Sequence, residues 1–155
     1  MAVAKELGQK EVFDLGAFDS VTRSNEGIWI PILHPITGEE TSTEFCMLGP
    51  DSAEYTAWQD EQAKKTQEYM IREMANARSK KKRSATEQAQ LDLETDIDLL
   101  CRLTKGWKEA RWNGEELEFT PENVRMVFSK NAVIRLQLRR DIEDRERFFM
   151  MTSKA

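Results

Sequence analysis

The order of apolar and polar residues predicts a β-hairpin early in the chain. Residues 28–33 have the β-branched and aromatic content of a strand. Pro31 favours an edge position for that strand, because proline donates no ladder hydrogen bond. Residues 34–39 indicate a turn in which Gly38 supplies the positive φ, and a second strand is expected near 43–48. We therefore expect these two strands to pair.

Apolar residues recur at helical spacing through most of the remaining chain. The pattern predicts four helices, near 51–80, 85–107, 121–130 and 132–149. Asp51 with Glu54 and Ser84 with Glu87 have the capping-box pattern that would start the first two helices. Thr120, followed by Pro121, is the expected cap of the third. The second helix is expected to form the centre of the core, because its apolar stripe is uninterrupted. That stripe comprises Leu93, Ile97, Leu100 and Trp107.

A second hairpin is predicted around Asn113 and Gly114. Asn-Gly favours a type I′ turn, in which both central residues take positive φ. Short strands are expected near 109–112 and 117–119. The predicted fold class is α+β, mainly helical, with two small β-hairpins and about four helices.

The predicted organisation is a single domain with extensions at both ends. Residues 1–26 are interpreted as a mobile N-terminal arm, residues 27–149 as the domain, and residues 150–155 as a C-terminal tail. A basic linker is expected near 78–84. The arm carries one short apolar patch, made of Val12, Phe13, Leu15 and Phe18.

Composition excludes several classes of protein. The chain has 155 residues and a net charge of −5 from mixed acidic and basic residues, which argues against a general nucleic-acid coat protein. With 39% hydrophobic residues it is able to fold. No apolar run approaches the roughly 20 residues of a membrane span, and the start has no apolar segment typical of a signal peptide. We expect no membrane association.

Candidate chemistry is sparse. The only histidine, His34, could approach Cys46 across the first hairpin, but two potential ligands do not make a metal site, and no nucleophile motif surrounds either residue. Cys46 and Cys101 are interpreted as free thiols. The seven glycines form no phosphate-binding loop. We expect no enzymatic activity and no cofactor.

Residues 78–83, Arg-Ser-Lys-Lys-Lys-Arg, are the one feature that suggests nucleic acid. The run contains no aromatic residues and acid-rich helices flank it, so a solvated linker or a protein contact is favoured. A nucleic-acid partner is therefore the less favoured interpretation of this run.

Two apolar clusters are candidate partner-binding sites. The first lies near the C-terminus, where a domain this small is expected to leave adjacent aromatic and methionine side chains uncovered, with core packing as the alternative. Methionine is flexible and suits surfaces that accept varied partners. The candidate residues are Phe148, Phe149, Met150 and Met151, with Met70 and Met74 as a second patch.

The order of motifs resembles the tail assembly chaperones of long-tailed, siphovirus-type phages and related prophages. The motifs are His-Pro-Ile-Thr-Gly at 34–38, Gly-Pro-Asp-Ser-Ala-Glu-Tyr at 49–55, Leu-Thr-Lys-Gly-Trp at 103–107 and the segment 114–123. A final helix ending near Phe148 and Phe149 completes a resemblance that covers about residues 27–149.

The resemblance implies a function in the host cell cytoplasm. Such a protein binds the tape measure protein, keeps it soluble, helps recruit tail tube subunits and can contact another copy of itself. Two alternatives remain open. One is a structural virion protein, such as a tail completion or connector subunit. The other is a nucleic-acid-binding regulator that uses residues 78–83.

Overall fold

The computed structural model describes residues 10–76 and 83–149. Within them the chain forms five α-helices and two small antiparallel sheets, which confirms the α+β, mainly helical prediction. The helices are α1 (Ser20–Glu26), α2 (Ala53–Ala75), α3 (Ala85–Leu103), α4 (Pro121–Lys130) and α5 (Ala132–Glu143). The strands are β1 (Ile28–Leu33), β2 (Glu40–Met47), β3 (Thr104–Lys108), β4 (Arg111–Trp112) and β5 (Glu115–Glu116). Two 3₁₀ turns cover Leu15–Phe18 and Arg145–Phe148.

The first hairpin forms as predicted. Strands β1 and β2 pair antiparallel from Ile28 opposite Met47 to Leu33 opposite Glu40, so β2 begins earlier than the predicted position 43. The strand that contains Pro31 lies at one edge of the sheet, whose order is β1-β2-β3. The pattern of residues therefore identified both the pairing and the edge.

Strand β3 corrects the sequence prediction, which continued the second helix to Trp107. Helix α3 instead ends at Leu103, and the side chain of Thr104 donates to the carbonyl of Leu100 at 2.6 Å. Trp107 lies in β3 opposite Phe45 of β2. Its spacing in the sequence fits a helix, but the free edge of β2 requires a partner strand.

The second hairpin has the predicted turn and shorter strands. Asn113 and Gly114 have φ of 51° and 85°, as a type I′ turn requires. Trp112 pairs with Glu115 directly across the turn, so the second strand begins nearer the turn than the predicted 117–119.

The core is centred on α3, as predicted. Ile97 and Leu100 are buried, whereas Leu93 and Trp107 are only partly buried. The core continues into the sheet and the last two helices. Its largest fully buried members are Ile30, Met47, Leu99, Leu100, Leu103, Phe128, Leu138, Ile142 and Phe148.

Helices α3 and α4 begin at their predicted caps, whereas α2 does not, and Asn131 before α5 forms no side-chain cap hydrogen bond. Ser84 and Thr120 cap α3 and α4 as the sequence indicates. Helix α2, however, is capped by Ser52, whose hydroxyl accepts from the Tyr55 amide at 3.2 Å. The capping role predicted for Asp51 is therefore wrong, and its carboxylate is used elsewhere.

Candidate partner-binding surface

The N-terminal segment contains two short helical turns, each started by an aspartate. Asp14 accepts a hydrogen bond from the Gly16 amide at 3.1 Å, and Asp19 accepts one from the Thr22 amide at 3.0 Å. Hydrogen bonding from Thr22 also lowers the pKa of Asp19. Helix α1, which belongs to the predicted N-terminal arm, makes polar contacts with a corner of the domain.

That corner consists of residues 49–52, between β2 and α2, and we call it the junction. The Ser24 side chain of α1 is fully buried, and the Ser24 carbonyl accepts from the Gly49 amide at 3.0 Å. The Asn25 side chain accepts from the Ala53 amide at 2.8 Å, just past the junction. Helix α1 thus supplies partners to backbone groups at the start of α2.

Asp51 connects this junction to both ends of the described chain. Its carboxylate accepts from the Ser20 hydroxyl at 2.6 Å. It also accepts from the Arg145 guanidinium, through Nε at 3.0 Å and Nη2 at 3.0 Å. Hydrogen bonding to Arg145 is the largest influence that lowers the pKa of Asp51, and Ser20 lowers it further.

Phe148 packs against the same junction. A Cβ atom on Gly49 would lie 2.4 Å from the Ser24 hydroxyl and 2.7 Å from the Phe148 ring, so the three segments meet at a glycine. Phe148 is fully buried. This corrects its proposed role as a partner-binding residue. Helix α5 ends at Glu143, and the following 3₁₀ turn directs Phe148 inward.

Phe149, which is half-buried, lies against Phe18 of the N-terminal segment, and we call these residues the terminal patch: Phe13, Leu15, Phe18 and Phe149. The rings of Phe13 and Phe18 stack with centroids 4.7 Å apart, and Phe149 contacts Phe18 edge-on at 5.2 Å. Phe13 and Leu15 are 57% and 77% exposed. The sequence identified the apolar content of both ends, but only the fold brings them together. Met150 and Met151 follow this patch in sequence and lie outside the described residues.

The second predicted patch lies on α2. Met70 and Met74 are 60% and 78% exposed, and Ile71 beside them is 59% exposed; we call these three residues the methionine face. Tyr55 is the only buried residue of α2, so most of this helix extends away from the core. The structure does not bring the methionine face into contact with the terminal patch.

The basic run between α2 and α3 lies largely outside the described residues. Its last member, Arg83, places its guanidinium 3.9 Å from the centre of the Tyr69 ring. Residues 83–92 are all exposed, so the first half of α3 also projects beyond the core.

An apolar cavity of about 240 Å³ opens between the sheet, the second hairpin and α5. Segments far apart in the sequence line it, among them His34, Phe45, Trp107, Leu117 and Ile134. The motifs at 34–38, 103–107 and 114–123 therefore meet around one cavity, which sequence reasoning did not anticipate.

His34 does not approach Cys46 across the first hairpin, as the sequence suggested it could. Cys46 pairs with Trp29, five residues before His34, which places the two side chains about 16 Å apart at the rise of a strand. Burial raises the pKa of the Cys46 thiol. No group of three or more metal-binding side chains occurs among residues 10–76 and 83–149.

No helix in the described part of the chain is long and apolar enough to cross a bilayer. No family model, curated protein or solved structure matches this chain.

Proposed function

We propose that this chain is a phage tail assembly chaperone that binds the tape measure protein, keeps it in solution and helps recruit tail tube subunits. The observation that carries the proposal is the terminal patch, where the exposed rings of Phe13 and Phe18 stack and Phe149, from the other end of the described chain, contacts Phe18. Exposed apolar clusters of this kind are typical of protein-binding sites.

The chemistry of the terminal patch suits an apolar helix as the client. Aromatic rings provide large contact areas with few rotatable bonds, and a helix presents its apolar side chains as one continuous stripe. A small patch of this kind binds weakly enough for tube subunits to displace the chaperone. The methionine face provides a second, adaptable contact.

The turn at 34–38, one of the motifs that carry the family resemblance, has a definite structural role. In the turn at 34–38, the imidazole Nδ1 of His34 accepts from the amides of Ile36 at 3.2 Å and Thr37 at 3.3 Å. Gly38 has φ of 75°, which closes the turn. His34 also lines the apolar cavity.

Co-expression with the tape measure protein of the same phage tests the proposal. The test variant is Phe13→Ser with Leu15→Ser, and the matched control is Val133→Ser with Leu136→Ser, which removes two similarly exposed apolar side chains from α5. We expect the test variant to lower the yield of soluble client and the control to leave it unchanged. Circular dichroism of each purified variant verifies folding.

Three further outcomes are informative. If Met70→Ser with Met74→Ser is the variant that lowers client solubility, the methionine face is the principal site and the terminal patch is not. If wild-type protein leaves client solubility unchanged, the chaperone proposal fails. Finding the chain in purified virions at fixed copy number would favour a structural subunit, because a chaperone is absent from the finished particle.

A further inference from the structure

We propose that Asp51 is a positioning residue that assembles the terminal patch by holding both ends of the described chain at one carboxylate. The inference rests on the proposed function for its biological meaning, but its structural content can be tested separately. Asp51 binds Ser20, 31 residues before it, and Arg145, 94 residues after it. These two partners lead directly into the two halves of the patch.

The N-terminal half depends on Ser20 because of its place in the chain. Ser20 is the first residue of α1, and Asp19 before it caps that helix. The 3₁₀ turn that ends at Phe18 immediately precedes this cap. Fixing Ser20 to Asp51 therefore fixes the position from which Phe18 projects.

The C-terminal half depends on Arg145 in the same way. Arg145 begins the 3₁₀ turn that ends at Phe148, and Phe149 follows it. The fork of the guanidinium matches the two carboxylate oxygens, which sets orientation as well as distance. Phe18 and Phe149 can meet at 5.2 Å because Asp51 orients the segments that carry them.

The Asp51–Arg145 pair has a more shielded carboxylate than the Asp98–Arg125 pair. The Asp51 side chain is 21% exposed, whereas in the Asp98–Arg125 pair both side chains are about half exposed. A shielded carboxylate that receives several hydrogen bonds is screened less by solvent. Asp98→Asn is therefore a matched control, since it removes an aspartate–arginine pair that joins α3 to α4.

The experiment is hydrogen–deuterium exchange on the full chain. In Arg145→Ala, we expect amides of residues 20–27 to exchange about tenfold faster than in wild type, from the loss of charge-assisted hydrogen bonds at the far end of the sequence. Conversely, Ser20→Ala should accelerate exchange of the amides of residues 145–149. Asp51→Asn should accelerate both segments, and Asp98→Asn neither. Amides of Leu99–Leu103 should keep wild-type rates in every variant.

Arg145→Lys separates positioning from charge. Lysine retains the charge but not the two-pronged geometry, so exchange of residues 20–27 should still be faster than in wild type. Unchanged exchange of residues 20–27 in Arg145→Ala would overturn the proposal. So would equal acceleration of 20–27 and of the α3 core, which would indicate general destabilisation.

Client binding is measured on the same variants. Faster exchange at both ends together with reduced client solubility supports positioning of a working surface. Faster exchange with unchanged client solubility retains the role of Asp51 in assembling the patch and contradicts the patch as the client site. The two proposals can therefore fail independently.

Discussion

Gly49 allows three segments to approach one backbone position. Any side chain there would collide with the Ser24 hydroxyl and with the ring of Phe148, both of which are fully buried. Neither neighbour can turn outward without exposing a buried group. The glycine is required by packing, since its φ is not in the left-handed region.

Gly49→Ala should lower the free energy of unfolding by about 1–3 kcal/mol, the usual cost of overpacking a filled site. Gly106→Ala is the control, because its Cβ would meet only Trp29 at an ordinary 3.9 Å. Urea denaturation measures both variants. A stability of Gly49→Ala equal to that of Gly106→Ala would show that the junction can relax.

Leu100 tests the core in the same way. Its side chain is fully buried near the C-terminal end of α3, so Leu100→Ala should cost roughly 2–5 kcal/mol in the free energy of unfolding. Leu136→Ala removes the same atoms from a side chain that is 69% exposed and should cost far less. Thermal unfolding followed by circular dichroism compares them; similar values would mean that this face of α3 is not core.

At the scale of elements, the free edge of β1 is occupied by a side chain instead of a strand. Gln137 of α5 accepts from the Leu33 amide at 3.0 Å and donates to the Pro31 carbonyl at 2.9 Å. Its amide group therefore copies the donor and acceptor pattern of a neighbouring strand. This covers backbone groups that would otherwise be available for aggregation.

Gln137→Leu should lower the free energy of unfolding by about 1–3 kcal/mol, because it leaves the amide of Leu33 and the carbonyl of Pro31 without partners. Gln59→Leu, at an exposed position of α2, provides the control. Guanidinium denaturation gives the difference. If Gln137→Leu is as stable as wild type, water satisfies this edge and the side chain is dispensable.

The element boundaries differ from the prediction where tertiary contacts compete with periodicity. Trp107 follows Leu100 at helical spacing, yet it lies in β3 because β2 needs a partner. Helix α5 likewise ends at Glu143 because Asp144 caps a 3₁₀ turn, accepting from the Glu146 amide at 3.2 Å. That turn buries Phe148, which the sequence predicted to be a partner-binding residue.

At the scale of the whole molecule, the two ends of the described chain are held together by a carboxylate whose pKa is lowered in the folded state. A carboxylate whose pKa is lower in the folded than in the unfolded state stabilises the fold in its ionised form. The stabilisation is fully present above the unfolded value of 3.8 and is lost as pH falls through the folded pKa.

As the pH is lowered from about 5, the free energy of unfolding of wild type should therefore fall more steeply than that of Asp51→Asn. Unfolding in urea at a series of pH values measures both slopes. Asp98→Asn serves as the comparison for loss of an exposed aspartate. If the free energies of unfolding of wild type and Asp51→Asn fall in parallel with pH, the Asp51 carboxylate does not contribute to stability.

The sequence by itself determined the fold class, the first hairpin, the Asn-Gly turn and the helix starts at Ser84 and Thr120. These features depend on contacts between residues close in the chain, such as caps, turns and apolar periodicity. It also identified apolar residues at both ends. Only the tertiary structure decided how those ends are used: Asp51, predicted as a helix cap, binds Ser20 and Arg145, while Phe148 is buried and Phe149 meets Phe18. Contacts across 31 to 131 residues leave no periodic signal in the sequence, because they depend on where each element ends and packs.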